Sequence, residues 1–238
     1  MKYLTLILLI ITTQITKAQK QKTIVLTFDD APQSHYRYVA PLLKQYHFNA
    51  TFYVCEFPGV YPDTTKSLNW NQIKQISQMG FEIGNHTWHH TSVKNITKEK
   101  FNTELQYIEK KCDSLHIPKP TSFCYPGYTN DSNAVNILKQ NGYTNARTGG
   151  ERTYQKKKDD PYYIPSYTIT SANKDHFYKA LLDMEKDKGI AIFCFHGVPD
   201  QPHPWVSTDQ STFKEYLDYL KTHRYKVIAM KDLKFKTR

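Results

Sequence analysis

Long apolar runs are missing from this chain. The longest, residues 4–13, is well short of the about 20 residues that a bilayer-spanning helix needs, so no stable membrane insertion of the mature chain is expected. No internal repeat, low-complexity tract or Pro/Gly-rich linker divides the sequence, which points to one folded domain. Cysteine is sparse. Cys55, Cys112, Cys124 and Cys194 match no zinc-knuckle spacing. Cys124 and Cys194 lie inside apolar runs, as buried thiols do, and one disulfide among the four stays open. No glycine-rich phosphate loop follows the first strand-like run; Asp29-Asp30-Ala31-Pro32 stands there, which argues against a nucleotide fold. No helical stripe of Lys and Arg is present, and Lys156-Lys157-Lys158 reads as a solvated loop.

The start of the chain is more informative. Met1-Lys2-Tyr3, a short apolar stretch and the small-residue exit Thr16-Lys17-Ala18 read as a secretory leader over residues 1–18. An uncleaved anchor is the other reading. No Cys lies near Ala18, so a lipid-anchored form is not expected. Residues 19–238 then form the domain, placed in the periplasm or secreted. The formal charge of +10, less Lys2 and Lys17, leaves +8. A basic exported protein favours anionic surroundings such as cell-wall polymers. Export argues against nucleic acid as a partner, and a monomer is expected.

Strand and helix signals alternate. Residues 23–28 (TIVLTF) form a continuous apolar and β-branched run, as in a parallel strand buried on both faces. Further strands are expected at 50–54, 81–83, 122–125, 144–147, 190–195 and 225–230, with 162–169 as strand or extended loop. Helices are expected at 36–46, at 70–79 capped by Asn69, at 98–115 capped by Thr97, at 132–140, at 175–186, and after a Thr212/Glu215 capping box. This order implies an α/β fold, a distorted (β/α) barrel with about seven parallel strands. An open doubly wound sheet is the alternative.

Polar residues that end apolar strands collect where α/β proteins build their sites. Asp29 and Asp30 end the first run, His86 and His90 follow Gly84-Asn85, and His196 follows the run 190–195. A helical turn after residue 85 would bring His86 and His90 to one side. Two His and one carboxylate with open positions make a zinc-type catalytic site. Cobalt, nickel and manganese also suit such donors. Like charges crowded at a buried strand end raise each other's pKa, which a cation relieves. One aspartate can then ligate and the other act as base. His89 is expected to point away, toward structure.

These residues closely resemble carbohydrate esterase family 4, the polysaccharide deacetylases similar to chitooligosaccharide deacetylase. The motifs are Thr27-Phe28-Asp29-Asp30, His86-Thr87-Trp88-His89-His90 and Phe193 to His196, within a resemblance spanning about residues 24–233. The resemblance implies a divalent-metal hydrolase that removes acetyl groups from a polysaccharide or oligosaccharide. It implies Asp29 as general base, Asp30, His86 and His90 as metal ligands, and His196 as general acid. It implies an oxyanion N–H from Gly127 or Tyr128, and a distorted barrel. Three departures stand out. Cys124 replaces the arginine that orients the catalytic aspartate, and Arg147 is the expected substitute. The motif with an Asp and a Trp is not recognisable; Asp159, Asp160 and Trp205 are its candidates. Gly197 stands where an Asp usually follows the histidine. Trp205, in the Pro-rich loop 197–208, reads equally as a sugar-stacking ring or as a ring packed on the barrel. N-deacetylation is the leading activity, with O-deacetylation of xylan-type glycans and non-catalytic sugar binding as alternatives.

Overall fold

The structure, a computed structural model, describes residues 22–235; the expected leader lies outside the described residues. Among the described residues eight strands are present: β1 (Thr23–Phe28), β2 (Thr51–Val54), β3 (Glu82–Asn85), β4 (Ser122–Cys124), β5 (Asn145–Arg147), β6 (Tyr167–Thr168), β7 (Ala191–Phe195) and β8 (Lys226–Ile228). They run parallel in the order β5-β4-β3-β2-β1-β7-β6. β7 pairs β1 along its length, from Ile24↔Ala191 to Phe28↔Phe195. The other edge of β1 is shared. β8 holds Thr23 to Val25, and β2 holds Thr27 and Phe28. A parallel bridge from Arg147 to Ile164 joins β5 to the segment leading into β6, so the ring closes as a distorted barrel.

That closing segment was expected as strand or loop over 162–169. Only Tyr167–Thr168 is regular strand. Pro161 and Pro165 bring no N–H to a ladder, which keeps the rest irregular. The segment is still tied down, with Thr148 N donating to Ile164 O (2.8 Å) and Ile164 N to Ala146 O (2.9 Å).

Among the described residues six α-helices surround the sheet: α1 (Ala40–Tyr46), α2 (Trp70–Gln78), α3 (Lys98–Ser114), α4 (Ser132–Gln140), α5 (Asp175–Asp187) and α6 (Gln210–Thr222). Asn69 caps α2 in a reciprocal capping box with Gln72, and the Thr97 hydroxyl caps α3. Two expectations need correction. The helix expected from residue 36 begins as a π-helical turn, His35–Val39, with Ala40 N donating to His35 O. Pro41 cannot donate to the preceding turn, and the backbone widens there. α6 starts before the expected Thr212/Glu215 box. Phe213 N already bonds Asp209 O (2.9 Å), so Thr212 lies buried in the first turn.

Strand alternation sorts the core. Ile24, Leu26, Phe28, Phe52, Phe193 and Phe195 face the helices in one cluster, while Val25, Tyr53, Cys124 and Ile192 fill the barrel interior. The same period of two carries past the strand ends, so Asp29 and His196 continue the inward rows. Ala146 packs outward and Arg147 inward. Gly84 makes room for the Tyr53 ring, which a Cβ at that position would strike. Gly84→Ala is therefore expected to destabilise the fold by about 1–3 kcal/mol through overpacking. The reading is a lower urea midpoint at unchanged slope; a wild-type midpoint would show that Tyr53 moves aside freely.

Candidate metal and catalytic centre

β1, β3, β4, β5 and β7 all end at one mouth of the barrel. Asp29 extends the ladder by one bond, its N–H donating to Phe195 O (2.9 Å). The chain then turns sharply, with Asp30 and Ala31 both left-handed at φ 70° and 53°. Such residues cost about 1–3 kcal/mol each and persist only where neighbours enforce them. Ala31 O is fixed by Leu68 N (2.9 Å) and Pro32 bridges Ser67. The turn sends the two carboxylates to different partners.

Asp30 Oδ1 lies 3.3 Å from His86 Nε2 and 3.5 Å from His90 Nε2. Around a tetrahedral ion at 2.0–2.1 Å, neighbouring donors stand about 3.3 Å apart. The spacing thus fits one small cation held by three donors. Asp30 Oδ1 is buried and has no hydrogen-bond partner among the described residues. His86 Nδ1 donates to the Cys124 carbonyl (2.8 Å), which leaves Nε2 as the lone-pair nitrogen facing Asp30. Burial pulls His90 down to about 4, keeping its imidazole neutral as a ligand must be. Burial pushes Asp30 up, but the neighbouring imidazoles of His86, His196 and His90 outweigh this and hold it below the usual carboxylate range. Burial likewise pulls His86 down, and the two aspartates reverse that shift. The pocket attracts positive charge.

The expected helical turn between the two histidines is absent. Thr87 and His90 are left-handed instead, at φ 62° and 55°. Asn85 Oδ1 accepts from Thr87 N (2.8 Å) and Thr87 Oγ1 from Thr91 N (2.8 Å). Two carboxylates that the sequence did not single out clamp this loop. Glu56 accepts from the indoles of Trp88 and Trp70 and from the Tyr107 hydroxyl, each at 2.8 Å. Glu104 accepts from His89 N (2.9 Å), and His89 turns away from the ligand pair to stack on Trp88. Neither acid has a spacing to the histidines that would reveal it in sequence.

Asp29 takes a different counter-charge. Arg147 Nη2 bonds Asp29 Oδ2, and Nη1 donates to Ser166 Oγ (2.8 Å). The guanidinium is fully buried between the Tyr53 and Tyr128 rings, 5.4 and 5.7 Å from their centroids. Burial pushes Asp29 up; Arg147, His86 and His196 outweigh it and hold the carboxyl below its ordinary value. Cys124 and Cys194 direct their thiols at the same oxygen, at 3.5 and 3.4 Å, and burial keeps both protonated. All four cysteines are free.

His196 Nε2 stands 3.8 Å from Asp30 Oδ2. Of the two oxyanion candidates, the Tyr128 N–H is already donated to Tyr125 O (3.0 Å). Gly127, left-handed at φ 57°, is the other. Asp159 and Asp160 are engaged elsewhere, with Arg152 and with Tyr162 N. Trp205 is 71% exposed, which removes the reading in which it packs on the barrel. It lies outside the buried cluster, joined to it by ring contacts from Trp205 to His203, Phe57 and then His90. Asp200 is a further residue that sequence motifs missed. It is buried, accepts from Gly197 N (3.1 Å) and His203 N (2.9 Å), and lies within electrostatic reach of His196. Gly197 is what permits this, because any Cβ there would strike the Asp200 backbone.

The Arg147–Asp29 pair sets a stability test. Arg147→Met leaves a buried carboxylate without its partner and should cost about 3–5 kcal/mol. Adding Asp29→Asn should recover most of that loss, because no buried charge then lacks a partner. Urea unfolding of the four metal-free proteins reads the cycle, and additive losses would show that the pair is not coupled.

Comparison with known proteins agrees with this geometry. A family model described as polysaccharide deacetylase matches residues 16–146, more than half of the chain. A peptidoglycan-N-acetylglucosamine deacetylase of Bacillus cereus is 34% identical over 125 residues, covering 52% of this chain and 54% of that protein. The peptidoglycan-N-acetylmuramic acid deacetylase PdaA of Bacillus subtilis is 31% identical over 109 residues, covering 42% and 39%. The chain thus spans about half or less of the length of these curated relatives. Among solved structures, PdaA of Bacillus subtilis, a family 4 carbohydrate esterase, superposes with a TM-score of 0.58 at 22% identity, covering 90% of this chain and 81% of that one. A CE4 family pseudoenzyme of Bacillus anthracis gives 0.62 at 19% identity, covering 90% and 66%. With the fold, the motifs and the family match in accord, the chain belongs to the polysaccharide deacetylases of carbohydrate esterase family 4.

Proposed function

We propose that this protein is an exported, metal-dependent hydrolase that removes acetyl groups from N-acetylated sugars of a polysaccharide, peptidoglycan or another N-acetylglucosamine polymer. The observation that carries the reading is the division of the aspartate pair. Asp30 converges with His86 and His90 at metal-ligand spacing, while Asp29 stays apart on Arg147. Binding alone requires no carboxylate of that second kind. The relatives' names point to the same chemistry on cell-wall glycans. The basic charge of the chain and the leader-like start favour a secreted or periplasmic place of action.

Asp30, His86 and His90 would hold the ion. Zinc suits two imidazoles and a carboxylate, and cobalt, nickel or manganese also fit. Bound there, a divalent ion supplies Lewis-acid polarisation at neutral pH. Asp29 takes the proton from the attacking water, with Arg147 fixing the carboxylate's direction. The Gly127 N–H meets the negative charge that develops on the acetyl oxygen. His196 gives its proton to the departing amine, and Asp200 holds the loop behind it. An amine leaves less readily than an alcohol, so amide substrates depend on His196 more than esters do. Trp205 offers a face on which a sugar ring can stack.

Acetate release from N-acetylglucosamine oligomers, peptidoglycan and acetylated xylan tests this. Chelation should abolish release, and zinc or cobalt should restore it. Asp29→Asn should lower turnover by about 10²–10⁴-fold with metal content unchanged, whereas His86→Ala should lose the metal. His196→Ala should lose amide cleavage and keep more of any ester cleavage. Metal binding without release from any substrate would overturn the reading in favour of a sugar-binding scaffold.

A further inference from the structure

Two buried cysteines flank the Asp29 carboxylate from strands on either side of β1. Cys124 ends β4, and Cys194 lies one residue before the end of β7. Strand register places them there. Cys124 is aligned with Arg147 on β5, and Cys194 with Thr27, two residues before Asp29. Side chains two apart on a strand share a face, so both thiols sit on the inward face beside that carboxylate.

The thiols converge on one oxygen. Cys124 Sγ lies 3.5 Å and Cys194 Sγ 3.4 Å from Asp29 Oδ2, the oxygen that also takes Arg147 Nη2. Each sulfur is held by a donor of its own. Arg147 Nη2 donates to Cys124 Sγ, and the Tyr128 hydroxyl, 2.7 Å from Thr168 Oγ1, donates to Cys194 Sγ (3.4 Å). The only other acceptor near Cys124 Sγ among the described residues is Tyr125 O, further away at 3.8 Å. A buried thiol beside a carboxylate keeps its proton, because a thiolate there would face a like charge. A carboxylate oxygen offers about two lone-pair sites, so the guanidinium and the two thiols saturate Oδ2. Asp29 Oδ1 is buried and has no donor among the described residues. Buried acceptors are nearly always paired, which makes this one-sided arrangement a feature to be explained.

We propose that Cys124 and Cys194 are positioning residues for the base: as S–H donors they lock Oδ2 in place and leave Oδ1 as the one oxygen that takes the proton of the attacking water. Arg147 reaches the carboxylate through a single nitrogen, which leaves the group free to turn about its Cβ–Cγ bond and exchange its oxygens. The thiols, arriving from β4 and β7, close off that rotation. Orientation of this kind acts on the chemical step rather than on substrate binding. The purpose of the device rests on the deacetylase reading above; its hydrogen bonds do not.

Infrared spectra of the metal-free protein read the S–H stretch, which moves to lower frequency when a thiol donates. The bands lost in Cys124→Ala and in Cys194→Ala identify the two thiols, and both should move to higher frequency in Asp29→Asn, whose amide oxygen is the weaker acceptor. Replacement by Ser or Ala separates a donor from a mere space-filler. Where a cysteine only fills the core, Ser is the worse substitute, because it buries a hydroxyl without need; where it donates, Ala is the worse. Cys194→Ala should lower kcat on an N-acetylglucosamine oligomer by about tenfold with KM within about twofold, and Cys194→Ser should restore most of the loss. The same order is expected at position 124. Bands that stay still in Asp29→Asn, or Ala variants that turn over as fast as wild type, would overturn the proposal. Should wild type release acetate from no probe, the deacetylase reading fails by itself. The S–H bands, and a higher urea midpoint for Ser than for Ala at both positions, then decide whether the thiols hold Asp29.

Discussion

Two carboxylates in succession at the end of a buried strand cannot both stay charged on the same counter-ion. The rest of the site follows from how this chain separates them. A left-handed turn at Asp30 and Ala31 sends one carboxylate toward two imidazoles and leaves the other in line with the strand. Each meets its own positive charge. For Asp30 this is the histidine pair, at a spacing that would suit an ion; for Asp29 it is a fully buried guanidinium. Removing either counter-charge would leave an uncompensated charge in a low-dielectric interior, which is the costliest defect that a core tolerates.

Precision in such a site comes from what stands behind it. Tyr53 and Tyr128 sandwich Arg147, and Gly84 exists to let Tyr53 in. Glu56 and Glu104 fasten the loop between His86 and His90 through indole, hydroxyl and backbone donors. Asp200 folds back over Gly197 to fix the chain that leaves His196. Buried acids outside the reacting centre thus hold its loops from three directions. Each is satisfied by hydrogen bonds, which is the condition under which buried polar groups rigidify rather than weaken.

The fold was legible because its signals are local. TIVLTF and IAIFCF announce buried parallel strands, and the motifs at their ends inherit the inward face from a period of two. That Asp30, His86 and His90 converge was legible for the same reason. What escaped were features set by tertiary context. Thr87 and His90 adopt left-handed geometry where a helical turn was expected, because Asn85 and Glu104 reward it. Glu56, Glu104 and Asp200 carry no motif, and only the closed barrel brings them to the site. Cys124 illustrates the limit well. The sequence shows an arginine missing there, and the next strand shows Arg147, but that the two touch each other and share one oxygen of Asp29 is a fact of packing.

The arrangement around β1 also bears on how the chain comes together. Strand β1 is central, yet its full-length partner β7 and the strand covering its early residues, β8, lie more than 160 residues further along the chain. Contacts of such sequence separation form late and slowly. A chain of this topology therefore stays incompletely closed until β7 and β8 dock on β1. β8 is thereby the latch whose docking on β1 secures the early half of the central strand.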